Sequence, residues 1–271
     1  MLHLLLPSCC FFYLKGSRTN TLCVSSQTGC AVGCKFCFTA SLRRNRNLAA
    51  AEIVGQVLAV QDDVSAINSE ARVTNIVFMG MGEPLLNYKE VTKACKILLD
   101  EKGCQFSGRR ITISTSGIVP RIHDLGRELP TQLAISLNAT TNEQRDRVMP
   151  INKKWPIEEL IEAMRAYPLG NRRKITVEYV MLKDVNDTPD DARRLIRLLR
   201  DIPCKINLLP LNAHDRTEFE TPPWERVVAF QKILRQAKMN TLLRTPRGQD
   251  ISAACGQLGE TIPLPAPAPK S

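Results

Sequence analysis

Short runs of apolar and β-branched residues alternate along the chain with longer segments whose apolar positions recur every three or four residues. This pattern predicts strand followed by helix. Strands are expected over residues 21–25, 73–78, 110–115, 132–137, 174–180, 205–209 and 240–244, and helices over 49–62, 88–100, 121–127, 157–166, 189–200 and 224–238. Thr188 and Pro189 suit the N-cap and first turn of the helix at 189–200. Apolar strands, each followed by a helix, imply an α/β fold with a parallel sheet covered by helices. About six such units fit a partial or full (β/α) barrel with right-handed crossovers.

The two ends fall outside this pattern. Over residues 1–15, His3 is isolated, Cys9 and Cys10 are adjacent, and Phe11, Phe12 and Tyr13 show no clear period. Residues 1–18 are therefore read as a divergent or disordered segment that could hold a strand, and residues 19–259 as the barrel domain. The proline-rich stretch 260–271 is expected to be a disordered tail.

The polar and reactive residues gather on one side of this scheme. Cys23 to Cys37, Gly82, Glu83, Ser114, Ser136, Asn138 and Asn212 all fall at or beyond the C-terminal ends of expected strands. That is the face on which both barrels and doubly wound sheets build their sites.

Composition narrows the class. The chain has 271 residues, 44% of them hydrophobic, enough for one large core. No apolar run reaches membrane-spanning length, and the apolar opening over residues 1–13 lacks the basic start and cleavage site of a signal peptide. A soluble, cytoplasmic protein is expected. Four of the ten cysteines crowd between Cys23 and Cys37, which favours metal or redox chemistry over a disulfide framework. A formal charge of +10 points to an anionic partner such as nucleic acid. Basic clusters at Arg43, Arg44 and Arg46, at Arg109 and Arg110, and at Arg172, Arg173 and Lys174 could each meet phosphates or simply face water. With aromatics at 5%, binding mainly by base stacking is disfavoured.

Cys30, Cys34 and Cys37 form a CxxxCxxC loop. Three close thiolates without a nearby fourth suggest a 4Fe–4S cluster with one iron left open; zinc, which wants four ligands in a structural site, is the alternative. Gly80-Met81-Gly82-Glu83-Pro84 is a glycine turn carrying a carboxylate, suited to a cationic amine. It lacks the third glycine of a dinucleotide fingerprint and could equally be a tight turn. Ser114, Ser136, Asn138 and Asn212 are residue types that also form turns and caps. Cys255, flanked by Ala254 and Gly256, has little steric cover, yet alone it could be a small buried hydrophobe. Cys95 and Cys204 read as core or incidental residues and Cys104 as a loop thiol.

Several ordered motifs together carry a resemblance. Leu22-Cys23-Val24-Ser25-Ser26-Gln27 with Gly29-Cys30, Met79 through Asn87, Ser114-Thr115-Ser116-Gly117, Pro150-Ile151-Asn152-Lys153-Lys154 and Asp250 through Leu258 resemble the RlmN/Cfr family of radical S-adenosylmethionine (SAM) RNA adenine methyltransferases. The likeness runs from about Thr19 to Gly259 and implies a partial (β/α) barrel of the radical SAM type. It also implies that Cys30, Cys34 and Cys37 hold one three-cysteine 4Fe–4S cluster, and that Gly82, Glu83, Ser114, Ser136, Leu137, Asn138 and Asn212 surround SAM. Cys255 would carry a methyl group as S-methylcysteine, and Cys23 would be the resolving thiol. The resemblance also implies two SAM molecules per turnover, one to methylate Cys255 and one for radical chemistry. A transient protein–RNA crosslink is then released as Cys23 and Cys255 form a disulfide. The implied partners are 23S rRNA and tRNA, a low-potential electron donor such as flavodoxin or ferredoxin, and a thiol reductant; a monomer without membrane contact is expected.

The chain departs from the family pattern in three places. The sequence begins too late for the small helical accessory domain that the family carries ahead of the barrel to be expected in these residues, the place of a glutamate before the Cys23 strand falls at Cys10, and Asn138 stands where many members have histidine. The stretch 245–250 resembles C2-methylating members. The alternatives are a Cfr-like C8 methyltransferase and an inactive RNA-binding relic.

Overall fold

The computed structural model describes residues 2–6, 9–13, 19–42, 45–170 and 172–244. Its centre is a nine-stranded sheet whose strands lie in chain order. Two strands, β1 (Leu2–Leu6) and β2 (Cys9–Tyr13), form an antiparallel hairpin on one edge. β2 runs antiparallel to β3 (Thr21–Val24), with Cys10 opposite Cys23. From β3 onward every pair is parallel: β4 (Asn75–Phe78), β5 (Ile111–Thr115), β6 (Gln132–Ser136), β7 (Ile175–Met181), β8 (Cys204–Pro210) and β9 (Thr241–Leu243). Among the described residues β1 and β9 are the sheet edges, so the seven parallel strands make an open, partial barrel.

Helices α1 (Ala50–Ile67), α2 (Tyr88–Leu99), α3 (Val119–Glu128), α4 (Asn142–Val148), α5 (Ile157–Arg165), α6 (Pro189–Leu199) and α7 (Trp224–Gln236) cover the sheet. Parallel strands need such crossovers because a tight turn cannot reverse the chain far enough. The main core lies between the two layers. Ile76, Ile111, Ile113 and Leu133 from the sheet meet Ile53, Leu98, Ile122 and Leu160 from the helices, all essentially inaccessible to water. Each such side chain contributes about 1.5–3 kcal/mol. Cys95 and Cys204 belong to this core, the first of the two readings that the sequence left open for them.

The N-cap expected at Thr188 forms. Thr188 Oγ1 accepts the Asp191 N–H at 3.2 Å, and an Asp191 oxygen accepts the Thr188 N–H at 3.1 Å. No helix among the described residues is long and apolar enough to cross a membrane. The opening segment, which sequence left as divergent or disordered, contains the β1–β2 hairpin, while the proline-rich tail lies outside the described residues.

Candidate active site

The C-terminal ends of the parallel strands surround a cavity of about 180 Å³. Its first wall comes from the chain leaving β3. Ser25 Oγ accepts the Met81 N–H at 2.8 Å, and Met81 O accepts the N–H groups of Ser26 and Gln27 at 2.9 and 3.1 Å. These bonds pin the Gly80-Met81-Gly82-Glu83 turn against the segment that leads into the cysteine loop. The contact is too close for side chains. A Cβ at Gly80 would stand 2.6 Å from Ser25 Oγ, and one at Gly82, where φ is +101°, 2.6 Å from Gln27 Cβ.

Cys30, Cys34 and Cys37 line this cavity together. Lys35 donates its N–H to Val148 O at 3.0 Å, and Thr217 Oγ1 donates to Lys35 O at 3.2 Å, so α4 and the segment after β8 both brace the loop. Phe36 anchors it in a second apolar cluster with Val148, Met149, Leu182, Leu211 and Phe219. Burial pushes the Cys30 thiol up to about 12 and raises Cys34 and Cys37 as well. For Cys30 and Cys34 the neighbouring thiols add to the rise, which places the sulfurs within electrostatic reach of one another. Ligating thiolates therefore need positive charge nearby, as a metal centre supplies. Among the described residues no three His, Cys, Asp or Glu converge on a single-ion position. In a cluster the cysteines bind separate irons and stand further apart than ligands of one ion.

Glu83 lines the same cavity and is 3% exposed. One of its oxygens accepts the Leu85 N–H at 3.0 Å and the other the Ser116 N–H at 2.7 Å. Burial raises its pKa, and these two N–H groups offset part of the rise. Both oxygens keep acceptor capacity, as an amine ligand requires. The hydroxyls of Ser116 and Thr115 also face this carboxylate and favour its charged form.

Gly82, Ser114, Ser136, Asn138 and Asn212 also reach the cavity wall. Asn138 has a second job. Its φ of +56° is one that asparagine tolerates better than most residues, its Oδ1 accepts the Val180 N–H at 2.7 Å, and its Nδ2 points to Met149 Sδ at 3.2 Å. Leu137 differs from this group: its side chain sits in the main core and its backbone N–H bonds Glu178 O, so it does not line the cavity. Cys23 is buried on β3, on the opposite face from Leu22 and Val24, and is not part of the cavity wall. Cys255 lies outside the described residues, and the expected Cys23–Cys255 disulfide with it.

Three residues of the site were not singled out from sequence. Ser116 stands in a quoted motif two places beyond Ser114. Glu178 lines the cavity from β7 and accepts Asn207 Nδ2 at 2.8 Å; an acid inside an otherwise apolar strand was the available signal. Arg145, fully buried on α4 behind the cavity wall and donating to the carbonyls of the lining residues Ser116 and Ser136, gave none.

Comparison with known proteins agrees with this geometry. The radical SAM superfamily profile matches residues 24–199. The chain is 55% identical over 239 residues to the dual-specificity RNA methyltransferase RlmN of Geobacter sulfurreducens, covering 88% of this chain and 64% of that protein. It is 53% identical over 239 residues to RlmN of Geotalea uraniireducens, covering 88% and 68%. A crystal structure of a radical SAM methyltransferase from Sphaerobacter thermophilus superposes with a TM-score of 0.86 at 44% identity, over 92% of this chain and 72% of that one. The chain thus spans about two thirds of the length of the curated relatives it matches. With three cysteines on one cavity wall and identity of this order along the barrel, the chain belongs to the radical SAM superfamily and, within it, to the RlmN family.

Proposed function

We propose that the chain is the catalytic barrel of a radical SAM RNA methyltransferase that methylates C2 of adenine in 23S rRNA and tRNA. The observation that carries this reading is the shared cavity of Cys30, Cys34, Cys37 and Glu83, in a chain 55% identical to a dual-specificity RNA methyltransferase. Superfamily membership implies a 4Fe–4S cluster and SAM, and the residues present fit both. Three thiols line one wall of the cavity, as a three-cysteine cluster would need, and a buried carboxylate on the same cavity suits a polar, partly cationic ligand. When bound, the cluster would supply the electron for reductive cleavage of SAM.

The protein's residues supply position. Cys30, Cys34 and Cys37 hold the cluster, and Glu83, fixed by the N–H groups of Leu85 and Ser116, accepts hydrogen bonds from the SAM amino group. Ser114, Ser136, Asn138 and Asn212 close around the rest, and the apolar cluster about Phe36 keeps water from the loop. In this reading Cys255 takes a methyl group on its sulfur, since a thiolate is nucleophilic where adenine C2 is not. Once hydrogen has been removed from that methyl group and its carbon is bonded to adenine C2, Cys23 attacks the Cys255 sulfur. The S–S bond forms as the S–C bond breaks, the electron pair left on carbon takes up a proton to complete the methyl group of the base, and an external thiol then reduces the disulfide. A net charge of +10 favours RNA as the polyanionic partner.

Anaerobic reconstitution with iron and sulfide tests the reading. An absorbing cluster together with methionine and 5′-deoxyadenosine on reduction is expected; RNA binding without SAM cleavage would leave the chain an inactive binder.

A further inference from the structure

Arg145 heads the fully buried side chains of the described protein by size, and no part of it reaches water. Its guanidinium donates to four groups: Leu137 O at 3.0 Å, Ser136 O at 3.2 Å, Ser116 O at 2.6 Å and Asn152 Oδ1 at 3.2 Å. All four are neutral. Among the described residues no carboxylate forms an ion pair with it, and the adjacent Asp146 gives an oxygen to Asn152 Nδ2 at 2.8 Å instead. Carbonyl dipoles satisfy the donors, and Asp146 acts on the guanidinium through its charge without touching it, so among the described residues Arg145 remains a buried cation with no ion-pair contact, an arrangement proteins seldom keep.

The cysteine loop rests against the helix that carries this cation. α4, the seven-residue helix that carries Arg145, ends at Val148, whose carbonyl accepts the Lys35 N–H beside Cys34. One short helix therefore braces the loop and holds a positive charge close to it. Cys34 packs against the apolar cluster that Val148 and Met149 form at the end of α4, and the cavity it lines also gathers Cys30, Cys37, Glu83 and Glu178, all of them acidic groups. The anchoring is also fitted to the strand ends that shape the cavity. Ser116 and Ser136 line it, and both give their carbonyls to Arg145.

We propose that Arg145 is the counter-charge of the cysteine loop, a positioning residue that balances the thiolates of Cys30, Cys34 and Cys37 and raises the reduction potential of the cluster they hold. The proposal rests on the cluster assignment made above. Adding an electron to a centre already surrounded by thiolates is opposed by their charge, and a fixed cation in a low-dielectric pocket relieves that opposition. Removing the charge makes the centre harder to reduce.

The test uses the whole chain, anaerobically reconstituted, with the cluster midpoint followed by electron paramagnetic resonance in the absence of SAM and RNA, and with iron content measured alongside. Arg145→Gln, which keeps amide donors and loses the charge, should lower the midpoint by at least one tenfold step in the reduction equilibrium, about 59 mV for one electron. Arg145→Lys, which keeps the charge and loses most of the hydrogen bonds, should stay within that step of the wild type. Asn152→Ala removes one hydrogen bond from the guanidinium and no charge, and should do the same. Equal midpoints in loaded wild type and Arg145→Gln overturn the proposal while leaving the cluster assignment intact. If Arg145→Gln does not fold, Arg145→Lys decides: a midpoint near the wild type supports the charge role, and a full-step drop overturns it. A wild-type chain that takes up no cluster overturns the assignment and the proposal together.

Discussion

Glu83 Oε2 accepts the backbone N–H of Ser116 at 2.7 Å, tying the loop after β4 to the loop after β5 across the mouth of the partial barrel. The bond holds a buried carboxylate in place before any ligand arrives. Glu83→Gln retains an acceptor for one of the two N–H groups but removes the charge. Because hydrogen bonds to charged groups are worth about 1.5–3 kcal/mol, SAM should bind about tenfold or more weakly to the reconstituted variant. Equilibrium dialysis with labelled SAM measures this, and unchanged affinity would remove Glu83 from the amine site.

Glu178 makes a different prediction. Burial raises its pKa above the ordinary value, against smaller opposing effects of the Asn207 hydrogen bond and the charges of Arg244 and Lys205. The folded chain thus holds this proton more tightly than the unfolded chain, so folding loses stability as pH rises from the normal carboxylate range through the raised value. Glu178→Gln removes that penalty. Its melting temperature should exceed that of the wild-type protein at neutral pH and match it below about pH 4, where both states are protonated. A variant less stable than wild type at neutral pH contradicts this.

Asp191 has the opposite sign. Burial pushes its carboxyl up, but hydrogen bonds from Thr188, Gln144, Thr140 and Arg194 outweigh that and hold it below the usual value. Its contribution is present above the unfolded pKa and fades as pH falls through the folded one. Asp191→Asn should cost about 2–4 kcal/mol at neutral pH in urea unfolding, with a smaller difference in acid. Thr188→Ala should cost about 1 kcal/mol, the worth of an N-cap.

The outer cysteine pair separates from the loop by variant. Cys255→Ala should abolish methyl transfer while iron content stays at the wild-type level, and Cys23→Ala should accumulate a protein–RNA adduct visible as a slow band on denaturing gels. Free methylated RNA at the wild-type rate from Cys23→Ala would deny that thiol its resolving role.

The parallel sheet was readable because its strands are apolar on both faces and its helices keep a clean period, so boundaries such as Tyr88–Leu99 and Pro189–Leu199 differ from expectation by a residue. Residues at strand ends could be assigned to one face from order alone. α4 was not readable. Its sequence, NEQRDRV, has one apolar residue, and its buried face is made by Val148 and Arg145. An arginine that is buried for its charge looks in sequence like one that faces water. The same limit applied to Asn138, where one side chain both lines the cavity and stabilises a left-handed turn, so the turn-forming and ligand readings were never exclusive. Leu137 shows the converse: its neighbours in sequence reach the cavity, yet strand alternation turns its side chain into the core.

The most direct measurement is mass spectrometry of an adenine-containing 23S rRNA fragment after incubation with the anaerobically reconstituted chain, SAM and a low-potential reductant. The account predicts 2-methyladenosine, formed together with 5′-deoxyadenosine and lost when Cys30, Cys34 or Cys37 is replaced by alanine. Unmodified RNA from a cluster-loaded chain, or 8-methyladenosine in place of the 2-methyl product, would contradict it.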